Sequence, residues 1–128
     1  MLENSEAFSG FAVKDTSQAE KFYGETLGLK VSREEAGPGL LTLDISGGPN
    51  ILIYPKDDHE PAVFTILNFP VSEIEKAVDG LAERGVSFER YEGTEMETDE
   101  KGIFREQGPE IAWFKDPAGN VLSVIKLD

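Results

Sequence analysis

Apolar positions change their spacing several times along the chain, and each change marks an element. Two short runs rich in aromatic and β-branched residues, 111–115 and 121–125, flank the pentapeptide Asp116-Pro117-Ala118-Gly119-Asn120. Proline presets φ and glycine or asparagine accepts positive φ, so this pattern predicts a β-hairpin. A weaker copy stands earlier, with apolar runs at 40–45 and 51–54 around Ser46-Gly47-Gly48-Pro49-Asn50. An offset of 70 residues carries Asn50 onto Asn120 and Ile53 onto Ser123.

Before the first hairpin, residues 7–13 read as a strand with Phe8, Gly10 and Ala12 on one face and Phe11 and Val13 on the other. Ala19, Phe22, Tyr23 and Leu27 then recur at helical spacing, with Asp15 or Thr16 as cap and Gly28 as stop. Residues 29–33 return to a strand. The same order restarts at residue 62. Residues 62–69 predict a strand, and Ser72 with Glu75 forms a capping-box signature ahead of a helix over 73–84. That helix turns Ile74, Ala77, Val78 and Leu81 inward. Residues 86–91 predict a further strand, 92–102 a polar loop without periodicity, and 103–105 a short strand. An offset of 58 carries Val13 onto Val71, Asp15 onto Glu73 and Ala19 onto Ala77. The chain is therefore an α+β protein of one domain built as two βαβββ modules, 6–57 and 62–126, with a charged, proline-closed linker at 56–61.

Composition narrows what such a protein can do. A length of 128 residues permits a real core, and the absence of cysteine removes disulfide and thiolate chemistry and fits a cytoplasmic home. No run is apolar enough to span a bilayer. The net charge of −13 argues against nucleic acid or an anionic membrane as partner and is compatible with a cationic ligand. It equally serves solubility alone.

Three groups of residues together resemble the vicinal oxygen chelate superfamily, which includes the glyoxalase, bleomycin-resistance-protein and extradiol-dioxygenase families. They are Phe11-Ala12-Val13-Lys14-Asp15 running into Ala19-Glu20-Lys21-Phe22-Tyr23 and Leu27-Gly28-Leu29, Val71-Ser72-Glu73-Ile74 with Arg84-Gly85-Val86, and the Asp116–Asn120 turn. The resemblance covers nearly the whole chain. It implies paired modules whose mixed sheets curl into a cup around a small molecule, commonly in a homodimer. Its enzymes place four metal ligands, drawn from His, Glu and Gln, at matching positions in the two modules. Carried over one at a time, these fall on Phe8, Ile53, Ile66 and Ser123. Three are hydrocarbon and the fourth is a neutral hydroxyl, whereas divalent cations want imidazole or carboxylate. The expectation is a metal-free, cofactor-free binding protein for a small, partly aromatic molecule.

The remaining candidates each admit more than one use. His59, the only histidine, is a general base, one ligand of an unusual site with Asp57 and Asp58, or a solvated linker residue. Tyr54 supplies a phenol to the cup or simply ends a strand. Trp113 is a stacking platform or a wall aromatic, and Asn68 recognises ligand or clamps backbone. Arg105 anchors an anionic ligand or neutralises its acidic neighbourhood. The 92–102 loop is a solvated segment or a lid. The rival function is an enzyme of this superfamily, a lyase, isomerase or dioxygenase relative, that uses His59 or Tyr54, or a relocated metal. A third is an accessory module whose cup is filled by its own side chains.

Overall fold

The computed structural model describes every residue except Ala36 and Asp128. The chain forms two compact units, one comprising Met1–His59 and the other beginning at Glu60. Each is a four-stranded mixed sheet carrying one helical segment, an α+β arrangement with the same connectivity in both.

In the first unit, β1 (Gly10–Val13) leads into α1 (Thr16–Lys21), followed by β2 (Lys30–Arg33), β3 (Leu41–Asp44) and β4 (Ile51–Pro55). The sheet order is β1-β4-β3-β2, with β1 parallel to β4 and the other pairs antiparallel. Asp15 caps α1 by accepting from the Ser17 and Gln18 amides at 2.9 and 3.2 Å. The helix loosens into a π-helical turn over Phe22–Thr26, which keeps Tyr23 fully buried with its ring 5.8 Å from that of Phe11. That contact identifies the face of the sheet beneath the helix. Phe11, Val13, Leu41, Leu43, Ile51 and Ile53 share it, and the last five are buried.

In the second unit, β5 (Thr65–Pro70) leads into α2 (Ile74–Glu83), then β6 (Ile103–Phe104), β7 (Glu110–Lys115) and β8 (Val121–Lys126), in the order β5-β8-β7-β6. Helix α2 buries Ile74 and Val78 and lies against β7 and β8. The Ser72–Glu75 capping box does not form. The cap is Glu73, whose side chain makes no capping bond. Ala112, Phe114, Leu122 and Val124 make up one face, all buried, and Ile111, Trp113, Val121 and Ser123 the other.

The strand predicted over 86–91 reduces to one bridge, Phe88 with Phe114, and an amide bond from Glu89 to the Trp113 carbonyl at 2.8 Å. The β7 partners run on in order: Phe88 opposite Phe114, then Ile103 opposite Ala112 and Phe104 opposite Ile111. The outer strand of this sheet is thus a single strand interrupted by an excursion over residues 90–102. The interruption, and not weak β propensity, is why 86–91 does not stand as a strand by itself.

Two aspartates make the tight reversals. Asp116 Oδ1 accepts from the amides of Ala118 and Asn120, both at 2.9 Å, and the Gly119 amide closes back on the Asp116 carbonyl. Asp99 repeats this with Lys101, Ile103 and Gly102 at 2.9, 2.9 and 3.0 Å. The excursion is therefore closed by the same Asp-x-x-Gly device as the final hairpin.

Candidate functional site

The face of each sheet turned away from its helix is where the candidate residues gather, and the two modules furnish it differently. In the first module Gly10 pairs with Leu52 and Ala12 with Tyr54, so Leu52 and Tyr54 point to this open face. Phe8 lies just ahead of β1 and is 65% exposed. Phe8 and Leu52 line a hollow of about 840 Å³ with Thr42, Asn50, Glu6 and Glu34. The volume suits a drug-sized guest. Thr42 Oγ1 donates to Glu34 Oε2 at 2.8 Å, holding one carboxylate at the wall.

Strand pairing corrects one sequence expectation. Ile53 was matched with Ser123 through the hairpin offset of 70. The helix caps Asp15 and Glu73 keep the offset of 58, which makes Gly10 the counterpart of Asn68. Gly10 pairs with Leu52 and Asn68 with Ser123, so Leu52, not Ile53, occupies the place of Ser123. A slip of one residue moves a side chain to the opposite face, and Ile53 accordingly sits fully buried beneath α1.

In the second module Ser123 is fully buried, and its hydroxyl donates to Asn68 Oδ1 at 2.5 Å. Trp113 stands directly across from Ser123 and is 8% exposed. Its ring lies 5.4 Å from Tyr91 and 6.1 Å from Phe104, in a cluster completed by Val121 and Ile111. Ile66 is the extra residue of a bulge, since Thr65 pairs with Val121 and Leu67 with the next residue, Leu122. This face of the second module carries a packed aromatic cluster.

None of the four positions offers what a divalent cation requires. Phe8, Leu52 and Ile66 have no lone pair, and the Ser123 hydroxyl is committed to Asn68. Among the described residues, no three His, Cys, Asp or Glu side chains converge into a metal-binding group. The residues present do not fit the metal that the resemblance implies.

Arg105 is held on every side. Nε donates to Asp99 at 3.1 Å, Nη2 to Glu75 at 2.7 Å and Nη1 to Glu110. Burial pushes the Asp99 carboxyl up, but the Ile103 amide, the Arg105 guanidinium and the Lys101 amide outweigh it and hold the group below the usual carboxylate range. The same contacts, Asp99 first, keep Arg105 above its ordinary value. His59 is half-buried, and its Nε2 is buried without a hydrogen-bond partner among the described residues. Leu52, Glu34, Tyr91 and Phe104 were not singled out from the sequence, and Asp99 stood there only as one acidic residue of the 92–102 loop. The signal for Asp99 was available, because Asp99-x-x-Gly102 copies Asp116-x-x-Gly119.

Comparison with known proteins bears on this geometry. The family model described as the Glyoxalase/Bleomycin resistance protein/Dioxygenase superfamily matches residues 8–124. Among solved structures, a glyoxalase family protein from Enterococcus faecalis superposes with a TM-score of 0.69 at 24% identity, covering 98% of this chain and 99% of that one. A superfamily member from Sphaerobacter thermophilus gives 0.67 at 22% identity over 94% and 97% of the two chains. TnmS3, an antibiotic binding protein from Streptomyces sp. CB03234, gives 0.67 at 20% identity over 98% of each. No functionally curated protein matches the chain.

Proposed function

We propose that this chain, which belongs to the Glyoxalase/Bleomycin resistance protein/Dioxygenase superfamily, is a binding protein that takes up a small, partly aromatic, cationic molecule without using a metal. The observation that carries the proposal is the hydrocarbon character of Phe8, Leu52 and Ile66 at positions where the family resemblance calls for ligating side chains. Phe8 and Leu52 give the first module's hollow an apolar floor, and Glu6 and Glu34 give it negative charge. A net charge of −13 draws cations toward it. That TnmS3 is an antibiotic binding protein is a precedent for capture by this fold.

Titration calorimetry with proflavine, a planar aromatic cation, tests the proposal. The expected result is saturable binding that is unchanged by EDTA and weakened about tenfold by Phe8→Ala, the loss of one stacking contact of roughly 1–1.5 kcal/mol. Absence of binding, or nickel- or zinc-dependent turnover of the methylglyoxal–glutathione adduct, overturns it. A homodimer and a cytoplasmic location belong to the same proposal. Exposed Val63 and Phe64, ahead of β5, offer apolar surface for a second copy, and a light-scattering mass decides that point.

An enzymatic reading is favoured by one observation, the unpartnered Nε2 of His59. Turnover of a candidate substrate that His59→Ala abolishes, with proflavine binding retained, would establish it.

A further inference from the structure

The second module contains a device that the binding proposal does not require. Its outer strand leaves β7 after Glu89 and rejoins it at Ile103, and the chain between carries Glu92, Glu95, Glu97, Asp99 and Glu100. Five carboxylates in so short a segment repel one another and favour its release into water. Residues 92–97 are exposed, but the segment is tied down near its two ends. Thr98 is 6% exposed and reaches the Glu89 carbonyl at 3.5 Å, Arg90 donates to the Glu100 carbonyl at 3.0 Å, and Lys101 pairs with Asp79 on α2 at 3.2 Å.

The strongest tie is Arg105, which lies one residue beyond β6. Its guanidinium joins Asp99 in the excursion to Glu75 on α2 and Glu110 on β7, so three separate parts of the module meet at one cation. The excursion also covers the tryptophan. Tyr91, near its start, packs its ring 5.4 Å from that of Trp113, and Phe104, just past its end, lies 6.1 Å away in the same cluster. Moving the segment therefore uncovers Trp113, on the sheet face that carries Ser123 and Asn68. The rest of that sheet need not change, because β7 and β8 remain paired from Glu110–Lys126 to Lys115–Val121.

We propose that residues 90–102 form a flap over the Trp113 face, latched by Arg105, and that release of the latch opens the Trp113 indole to solvent. The latch is independent of the binding proposal above, which concerns the first module's hollow.

The test is Arg105→Gln in the full chain, with Lys115→Gln as control, since Lys115 pairs with Glu89 at the same sheet without touching the latch. Trp113 is the only tryptophan, so quenching of its fluorescence by acrylamide reports the flap directly. The expected result for Arg105→Gln is at least a threefold rise in the quenching constant and at least a tenfold faster amide exchange at Ile103 and Phe104. Exchange in α2 should stay unchanged, and the control should match the wild type throughout. Unchanged quenching and exchange overturn the latch, as does loosening spread evenly over α2, β7 and β8.

Discussion

The two modules share one wiring and use it differently. In the first, β2 is an uninterrupted outer strand, β1 is regular, and the open face holds a hollow. In the second, the outer strand is broken by an acidic excursion, β5 is bulged at Ile66, and the open face is occupied by Trp113, Tyr91 and Phe104. The helix-bearing faces, by contrast, are both closed and apolar. The shared part is the packing each sheet needs to stay folded, and the divergent part is the surface left over. That division explains how copies with so little residue identity keep the same strand order.

The largest effect expected from breaking this comparison lies at neighbouring positions of β4. Ile53→Ala should cost about 3 kcal/mol, because it opens a cavity beneath α1. Leu52→Ala, half-buried on the open face, should cost about 1 kcal/mol. Denaturant titration measures both, and equal losses would contradict the assignment of faces.

Next comes a pair of glycines with similar backbone. Gly102 has φ +89° and a Cβ there would lie 2.6 Å from Cβ of Phe88, whereas Gly47 has φ +80° and open space around it. Strain at positive φ costs each alanine about 1 kcal/mol, and the clash at Gly102 should raise its loss to about 3 kcal/mol. Thermal melts of Gly102→Ala and Gly47→Ala compare them. Similar melting points would mean that the excursion yields freely and is not seated as described.

A smaller effect depends on pH. The Asp99 carboxyl is held below its ordinary range in the folded protein, so its contribution to stability is present above its unfolded pKa and is lost as pH falls through the folded one. Asp99→Asn should therefore melt below the wild type at neutral pH, and the gap should close on acidification through the carboxylate range. A gap independent of pH would assign the effect to geometry alone. Smallest of all is Arg33→Gln, which removes the exposed ion pair with Glu20 in the first module and should cost about 0.5 kcal/mol or less in the same melts.

Much of the fold was legible because alternation and helical spacing are imposed by burial. Asp15, the helical stripe through Tyr23, and both hairpins follow from that. The final turn was legible for a local reason, since Asp116 satisfies the amides of its own loop. What the sequence concealed was relational. Asn50 and Asn120 are alike as turn residues, yet aligning them displaces β4 by one position, and only the pairing of β1 with β4 reveals this. Residues 86–91 have strand character but keep only one bridge, because their continuation arrives from Ile103. The capping signature at Ser72 and Glu75 is real as a pattern and unused, because the helix begins one residue later. Arg105 was readable as a neutralising cation; that it draws on Glu75, thirty residues away, was not.

The broken outer strand has a consequence for how such a chain can change. A strand at the margin of a sheet answers to one neighbour, so material spliced into it shifts no interior register and leaves the central hairpin of β7 and β8 paired. The tip of the excursion around Glu95 is therefore a place where this protein should accept foreign segments, an epitope or a small reporter, while the equivalent splice into β8 would destroy the module.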